Sequence, residues 1–349
     1  MQNNPIVDIL VPTFNRGFLL QNCINTLLKQ KYSNFNIIIA DNCSTDNTQE
    51  LVSHFVTAYE NVFYFKNPEN YGIYGNYNHA LAHYCKGEYT IIVSDDDYIL
   101  DYDYLTTAVT YIQAEKLSWI AAGYYIADTT SMQIKCNTRD EDFFGTGVEF
   151  MQLHQWGYDK FSWFSVLFDR KKMLKLDGFT KSLYNSDFDQ LFELSIDSRC
   201  AILASPVGVY TINIFQENHL IDQDFMFHGY TLYTNLHKKY PQHYKESLMI
   251  ENVKAYISAC FRYFLDRDAF EELHFNDVYW FNTFKNLSNG IYYPFFDNQI
   301  AQNYELFKKD KMLFAQHRKN NFSSSWKEIE DPKLLTLLSS FLDYKKIDL

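Results

Sequence analysis

Apolar and polar residues fall into blocks along the first part of the chain, and the blocks alternate between strand and helix spacing. Ile6 to Pro12 is an apolar run of strand length that ends in Thr13-Phe14-Asn15-Arg16. From Phe18 to Leu28 the positions Phe18, Leu19, Cys23, Ile24 and Leu27 share one face at helical spacing. A second strand is predicted over Phe35 to Ala40, a helix from Thr48 to about Tyr59, and a third strand over Val62 to Phe65. Asn70 to Asn76 reads as a loop that opens a helix ending near Tyr84. Tyr89-Thr90-Ile91-Ile92-Val93-Ser94 is a fourth strand, bounded by Lys86-Gly87-Glu88 before it and three aspartates after it. Strand–helix repeats of this length predict an α/β fold, a mostly parallel sheet with helices on both faces.

From Leu105 the pattern loosens. Ser118 to Ala127 and Phe161 to Phe168 are expected as strands, and Phe188 to Ile196 as a helix. Ala201 to Ile214 fits a strand pair or one bent strand. Beyond about Asp222 the chain is rich in Tyr, Phe, His and Lys at helical spacings, with no convincing strand. The expected organisation is an α/β domain over 1–222 and a helical C-terminal appendage over 223–349.

Composition narrows the function. The chain has 349 residues, 47% hydrophobic, which is ample for a sizeable core. Its formal charge of −12 argues against nucleic acid as a partner and against binding anionic lipid through bulk charge. Cys23, Cys43, Cys85, Cys136, Cys200 and Cys260 show neither metal-knuckle nor redox spacing, which suits reduced thiols in a cytosolic protein. No apolar run is long enough to span a bilayer, and Met1-Gln2-Asn3-Asn4-Pro5 does not look like a leader. A cytoplasmic chain is the expectation.

The densest chemistry is Asp95-Asp96-Asp97. Three adjacent carboxylates repel one another, and a strand end is a costly place for them unless something positive is near. A hard divalent cation such as Mg²⁺ or Mn²⁺ is one answer, because it takes oxygen ligands and keeps waters and phosphates as others. A solvated acidic turn that caps the next helix is the other. Open α/β sheets bind ligands beyond the carboxyl ends of their strands. Asp41, at the end of the second strand, is read as a ligand for a base or a ribose, while Asp46 is left between ligand and helix cap. The first turn, Pro12 to Arg16, has neither the glycines of a dinucleotide site nor a Walker lysine, which disfavours dehydrogenases and P-loop enzymes.

The order of these pieces resembles the nucleotide-sugar-binding half of the family 2 glycosyltransferases, which have the GT-A fold. The resemblance is carried by Val7 to Arg16, Ile38 to Asp46, Asn67 to Asn76 and Val93 to Asp97, and covers roughly Ile6 to Asn213. It implies a donor half over about 1–100 and an acceptor half over about 101–222. It implies that Pro12, Thr13 and Asn15, with Arg16 in the same turn, lie against the nucleotide, and that Asp41 reads the base. Asn70, Gly72 and Asn76 would line the nucleotide pocket. The family's Asp-x-Asp motif holds ribose and metal. Here its register has two versions: Ser94 in the first position with Asp96 and Asp97 behind it, or Asp95-Asp96-Asp97 itself. Asp95 is assigned to the nucleotide, and Asp96 and Asp97 to Mn²⁺ or Mg²⁺.

Further along, Gly178-Phe179 precedes Ser186-Asp187-Phe188-Asp189. In the family a Gly-Phe segment leads to a Glu-Asp pair whose aspartate is the catalytic base. Asp187 matches it, Ser186 replaces the preceding acid, and Asp189 is the fallback. A cap and a base can be the same residue. His219 would ligate the metal or donate to the diphosphate, although a lone histidine is more often structural. Trp156, Trp163 and Phe164 fit sugar stacking, with core packing the commoner role of such aromatics.

The resemblance thus implies an inverting, metal-assisted transfer from a nucleotide-sugar, with a preference for UDP-sugars, to a glycan or lipid-linked acceptor in bacterial polysaccharide assembly. Lys308, Lys309, Lys311, Arg318 and Lys319 beside Met312, Leu313 and Phe314 suit a peripheral contact with the inner face of a membrane. A helical cap packed on the core or on a second copy of the chain is the favoured reading of that region. The rival classes are a sugar nucleotidyltransferase, whose Gly-rich first turn is missing here, and a non-catalytic carbohydrate-binding protein, against which the aspartates argue.

Overall fold

The computed structural model describes residues 4–129, 132–153, 160–176, 178–179, 186–212, 225–253, 329 and 331–340. The side chains of residues 186–188 and 225–231 stand outside that description. His219, Trp156 and the basic cluster from Lys308 to Lys319 also lie outside it.

The first half alternates as its periodicity requires: β1 (Val7–Thr13), α1 (Gly17–Leu27), β2 (Phe35–Asp41), α2 (Thr48–Ala58), β3 (Val62–Lys66), α3 (Ile73–His83) and β4 (Tyr89–Ile92). These strands pair in parallel, in the order β3-β2-β1-β4. All seven residues of β1 are buried, as expected of a central strand covered on both faces. The crossovers leave β1 toward β2 on one side and toward β4 on the other. The order therefore reverses between β1 and β4, and the tips of these two strands flank the switch point where open α/β sheets leave a crevice.

The second half continues with β5 (Tyr98–Ile99), α4 (Tyr104–Ala114), β6 (Leu117–Asp128), β7 (Gln133–Asn137), β8 (Phe143–Thr146), α5 (Gly147–Leu153), β9 (Leu167–Asp169), α6 (Arg170–Lys175), α7 (Ser186–Ser195) and β10 (Arg199–Ile212). The sheet runs on from β4 through β9, β6 and β10 to β5. β9 is antiparallel to both neighbours, and β6 and β10 are parallel. Leu20, Ile24, Val52, Leu105, Val109 and Ile112 from α1, α2 and α4 pack with Ile9, Ile37, Ile91 and Ile120 in the main core. Trp119 is fully buried on β6, and its Nε1–H donates to the carbonyl of Leu191 at 2.8 Å. That bond and the burial of Leu191 and Phe192 anchor α7 to the sheet.

One expectation changes in detail and one left open is resolved. The stretch 161–168 is not one strand. Ser165 donates its hydroxyl to the Ala122 and Ser162 carbonyls, and this local bonding winds Trp163–Ser165 into a 3-10 turn before β9. The stretch 201–212 belongs to one long strand whose register slips around Pro206, a residue with no N–H for the ladder.

The chain divides into two units, 1–153 with 160–222 and 326–349, and 154–159 with 223–325. In the second, α8 (Phe225–Lys239) is followed by Tyr244, which is buried and donates its hydroxyl to Asn252 Oδ1 at 2.7 Å. The helix Pro332–Ser340 belongs to the first unit, although the sequence grouped it with the appendage. Its Leu338 packs with Tyr98, Ala127 and Val209. Among the described residues no helix is long and apolar enough to cross a membrane.

Candidate active site

The switch point brings the tip of β1 beside the turn after β4. Leu10 is in register with Ile92, so Thr13 stands level with the aspartates. Its hydroxyl donates to Asp95 Oδ2 at 2.7 Å, and Arg16 places Nη2 at 2.7 Å from Asp95 Oδ1 and Nη1 at 3.3 Å from Asp96 Oδ2. Asp95, Asp96 and Asp97 are all buried. The Asp97 amide donates to the Ser94 carbonyl at 3.0 Å, which closes the turn. β10 supports it from the other side: the Thr211 amide donates to Asp97 Oδ1 at 3.1 Å and its hydroxyl to the Asp96 carbonyl at 2.6 Å.

Electrostatics follow from this geometry. Burial pushes the Asp95 carboxyl up to about 7, although the Arg16 charge works the other way. Burial and the Asp96 charge hold Asp97 well above the usual carboxylate range. Three buried carboxylates facing one guanidinium are short of positive charge. Hard carboxylate oxygens at a strand tip suit Mg²⁺ or Mn²⁺, so the residue types fit such an ion. Among the described residues no three His, Cys, Asp or Glu side chains converge as a ligand set. The fit is therefore to an ion held by one or two carboxylates and completed by phosphate and water.

Asp41 lies at the tip of β2, fully buried. One oxygen accepts the Ser44 amide at 2.7 Å, and the other accepts the Tyr64 hydroxyl. These bonds shape the turn that follows. Asn15, at φ 54°, accepts the Thr45 amide at 2.7 Å on its side-chain oxygen, which ties the β1 turn to the β2 turn. Asp46 accepts the amide and hydroxyl of Thr48 at 3.1 and 2.5 Å, an i→i+2 turn that leads into α2.

Amide side chains stitch these turns to α3. Asn42 donates to Asn70 Oδ1 at 2.7 Å and accepts the Tyr71 amide at 2.9 Å, and Asn70 Oδ1 also accepts the Gly72 amide at 2.8 Å. Asn76 donates to the Ala40 carbonyl at 2.9 Å and accepts from Asn67 at 2.8 Å. Gly72 has φ 72°, with open space where a Cβ would stand, so it keeps the approach to the α3 N-terminus clear. Pro12, Thr13, Asn15, Arg16, Asp41, Asn70, Gly72, Asn76 and Asp95 thus stand at the strand tips, in the turns after them and in the first turn of α3, with Pro12, Thr13, Asp41, Asn76 and Asp95 buried.

The acceptor-side residues are placed less fully. Asp187 lies at the start of α7, and its side chain is outside the description. Asp189 lies on the same helix and is half-buried. Of the aromatics, Phe164 is core, and Trp163 stands edge-on to Phe179 at 5.6 Å. Sequence reasoning missed Asn42, Asn67 and Thr211. The two asparagines sit inside motifs that it quoted, whereas Thr211 reaches the site only through the pairing of β10.

A family model described as glycosyl transferase family 2 matches residues 8–169. Over 98 residues the chain is 35% identical to the GalNAc(5)-diNAcBac-PP-undecaprenol beta-1,3-glucosyltransferase of Campylobacter jejuni, covering 28% of this chain and 31% of that one. The solved structure of S. aureus TarS 1–349 in complex with UDP-GlcNAc has a TM-score of 0.60 at 16% identity, covering 76% of this chain and 77% of that one. The mannosyltransferase PcManGT from Pyrobaculum calidifontis, in complex with GDP-Man and Mn²⁺, has a TM-score of 0.51 at 16% identity, covering 93% and 89%. At those identities the two structures speak for the fold, which is that of the GT-A enzymes. The chain spans 34%, 69% and 31% of the length of three curated relatives that it matches.

Proposed function

We propose, from the match of residues 8–169 to the glycosyl transferase family 2 model, that this chain belongs with those enzymes and moves a sugar from a nucleotide-sugar to a hydroxyl of a glycan or lipid-linked acceptor. One observation carries the reading: the buried Asp95-Asp96-Asp97 turn, bound by Thr13 and Arg16, occupies the switch point of the sheet. A UDP-sugar is the donor class we favour, supported by the UDP-GlcNAc that TarS holds on the same fold. A lipid-linked acceptor draws support from the undecaprenol in the name of the C. jejuni relative. We place the reaction in the cytoplasm, at the inner face of the membrane.

In this reading the turns after β1 and β2 and the N-terminus of α3 hold the nucleoside. Asp41 and Asn15 shape the base end, and Asp95 takes the ribose. Asp96 and Asp97 would hold a divalent ion, with His219 as a further ligand. When bound, that ion supplies Lewis-acid neutralisation of the charge that grows on the leaving diphosphate. Arg16 adds a fixed cation beside the same charge. Asp187 accepts the proton of the attacking hydroxyl, with Asp189 as the alternative on the same helix. Attack from the face opposite the diphosphate inverts the anomeric centre. The remaining contribution is alignment of the two substrates.

The test is release of nucleoside diphosphate from a panel of UDP-GlcNAc, UDP-Glc, UDP-Gal and GDP-Man, with Mn²⁺ and with EDTA. Release from a UDP-sugar that needs the metal is expected. Formation of a nucleoside triphosphate and a sugar 1-phosphate once pyrophosphate is added would point to a nucleotidyltransferase, and binding without release to a non-catalytic protein. Asp187→Asn should bind UDP as the wild type does and lose transfer; surviving transfer would remove the base assignment.

A further inference from the structure

Thr211 reaches the acidic turn from 114 positions away in sequence. It lies near the end of β10, where Gly208 pairs with Ile99 and Val209 with Tyr98 in an antiparallel ladder. Continued by two residues, that register sets Thr211 opposite Asp96. The two chains run close together here. A Cβ on Gly208 would run into the Tyr98 carbonyl, and the amides of Leu100 and Asp101 both donate to the Val207 carbonyl at 2.9 Å. Ahead of Tyr98 the backbone leaves the ladder, because the Asp97 amide turns back to the Ser94 carbonyl at 3.0 Å. Side chains take over the pairing. Asp97 Oδ1 accepts the Thr211 amide at 3.1 Å, and the Thr211 hydroxyl donates to the Asp96 carbonyl at 2.6 Å. All three residues are buried, so these bonds are shielded from water. Thr13 and Arg16 hold the other side of the turn through Asp95 and Asp96. The Asp96-Asp97 peptide is thus pinned from β10 by one threonine.

We infer that Thr211 is a positioning residue: its hydroxyl and amide fix the Asp96-Asp97 peptide, and with it the two carboxylates, in the orientation that holds a divalent ion. The inference rests on the proposed role of Asp96 and Asp97 as metal ligands. Thr211 touches neither ion nor substrate in this account. Carboxylates that coordinate a cation are themselves held by hydrogen bonds, and losing such a bond weakens the hold on the metal. Loss of the hydroxyl should therefore act on the ion and leave metal-free nucleotide binding alone.

The experiment uses the full chain with Thr211→Val, Thr211→Ser and Thr211→Ala. Mn²⁺ affinity is read in the presence of UDP from the electron paramagnetic resonance signal of the free ion. UDP affinity is measured by calorimetry with EDTA. Turnover is followed by UDP release, over a range of Mn²⁺, from the sugar nucleotide that the donor panel identifies. Thr211→Val keeps the shape and the amide and loses the hydroxyl. It should raise the Kd for Mn²⁺ about 10- to 100-fold, the loss that follows when a ligand's supporting partner is removed, and leave metal-free UDP affinity within about twofold. Excess Mn²⁺ should bring its kcat back to within about threefold of the wild type, since the defect lies in holding the ion. Thr211→Ser keeps the hydroxyl and should bind Mn²⁺ within about threefold of the wild type. Thr211→Ala should match Thr211→Val.

Unchanged Mn²⁺ affinity in Thr211→Val would overturn the inference, whatever the variant lost in stability. A loss in Thr211→Ser as large as in Thr211→Val would do the same, because the hydroxyl would then not be the cause. So would a matching fall in metal-free UDP affinity. If Thr211→Val does not fold, Thr211→Ala against Thr211→Ser decides by the same measure. Failure of all three to fold would overturn the inference by making Thr211 a fold determinant only. A wild-type chain that binds no Mn²⁺ removes the metal reading and this inference with it. A wild type that binds the ion, beside a Thr211→Val that binds it equally well, removes the inference alone.

Discussion

Arg16 reaches two aspartates of the β4 turn, Asp95 at 2.7 Å and Asp96 at 3.3 Å. Removing one partner of a largely buried ion pair costs more than the pair contributes, because the other charge stays behind. Arg16→Leu should therefore destabilise the protein by about 3 kcal/mol, read by urea unfolding. Added Mn²⁺ and UDP should raise its melting temperature by more than they raise that of the wild type, since the ion supplies the charge that the guanidinium gave up. Thr13→Val removes a neutral donor to the same carboxylate, and a loss of about 1.5–3 kcal/mol is expected for a bond to a charged group. The aspartates were legible as chemistry because like charges in sequence announce their own cost. Their partners were not: Arg16 lies 80 positions from Asp96, and only the pairing of β1 with β4 brings them together.

At the scale of elements, the regular alternation of the first half is what made β1 through β4 readable. Each strand is built on an apolar run, broken only by single polar residues such as Asp8 and Asn36, and each connection carries a helical stripe. The second half mixes antiparallel short strands with bulges, and there periodicity fails for physical reasons. β5 is two residues long and exists because Gly208 and Val209 of β10 are there to pair with it. A serine with local bonding partners turned the start of the expected 161–168 strand into a 3-10 turn. Asp46 closes an i→i+2 turn on Thr48 just before α2. Asp46→Ala should cost about 1 kcal/mol of stability through the loss of those bonds, seen in urea unfolding; a fall in UDP affinity beyond that, by calorimetry, would mark it as a ligand.

For the whole molecule, the informative feature is the return of the helix Pro332–Ser340 to the first unit. Leu338 is fully buried against Tyr98 and Val209, and Ile134, Ile329 and Leu334 complete the cluster. Tyr98 follows directly on Asp97, so this late helix backs the strand that continues from the acidic turn. Leu338→Ala should cost about 2–3 kcal/mol through the cavity it leaves, seen in thermal unfolding by circular dichroism. It should also weaken UDP binding, although no side chain at the crevice has been altered.

A nascent chain leaves the ribosome N-terminus first, and its domains tend to fold as they emerge. The four parallel strands can assemble early, but the greasy underside of Tyr98 and Val209 must wait for a segment made more than a hundred residues later. Until that segment has been made, the ribosome carries a chain whose sheet is built and whose acidic corner still lacks its backing. A chain that stops before Ile329 would carry a sticky surface in place of that helix, which makes it a substrate for chaperones and proteases.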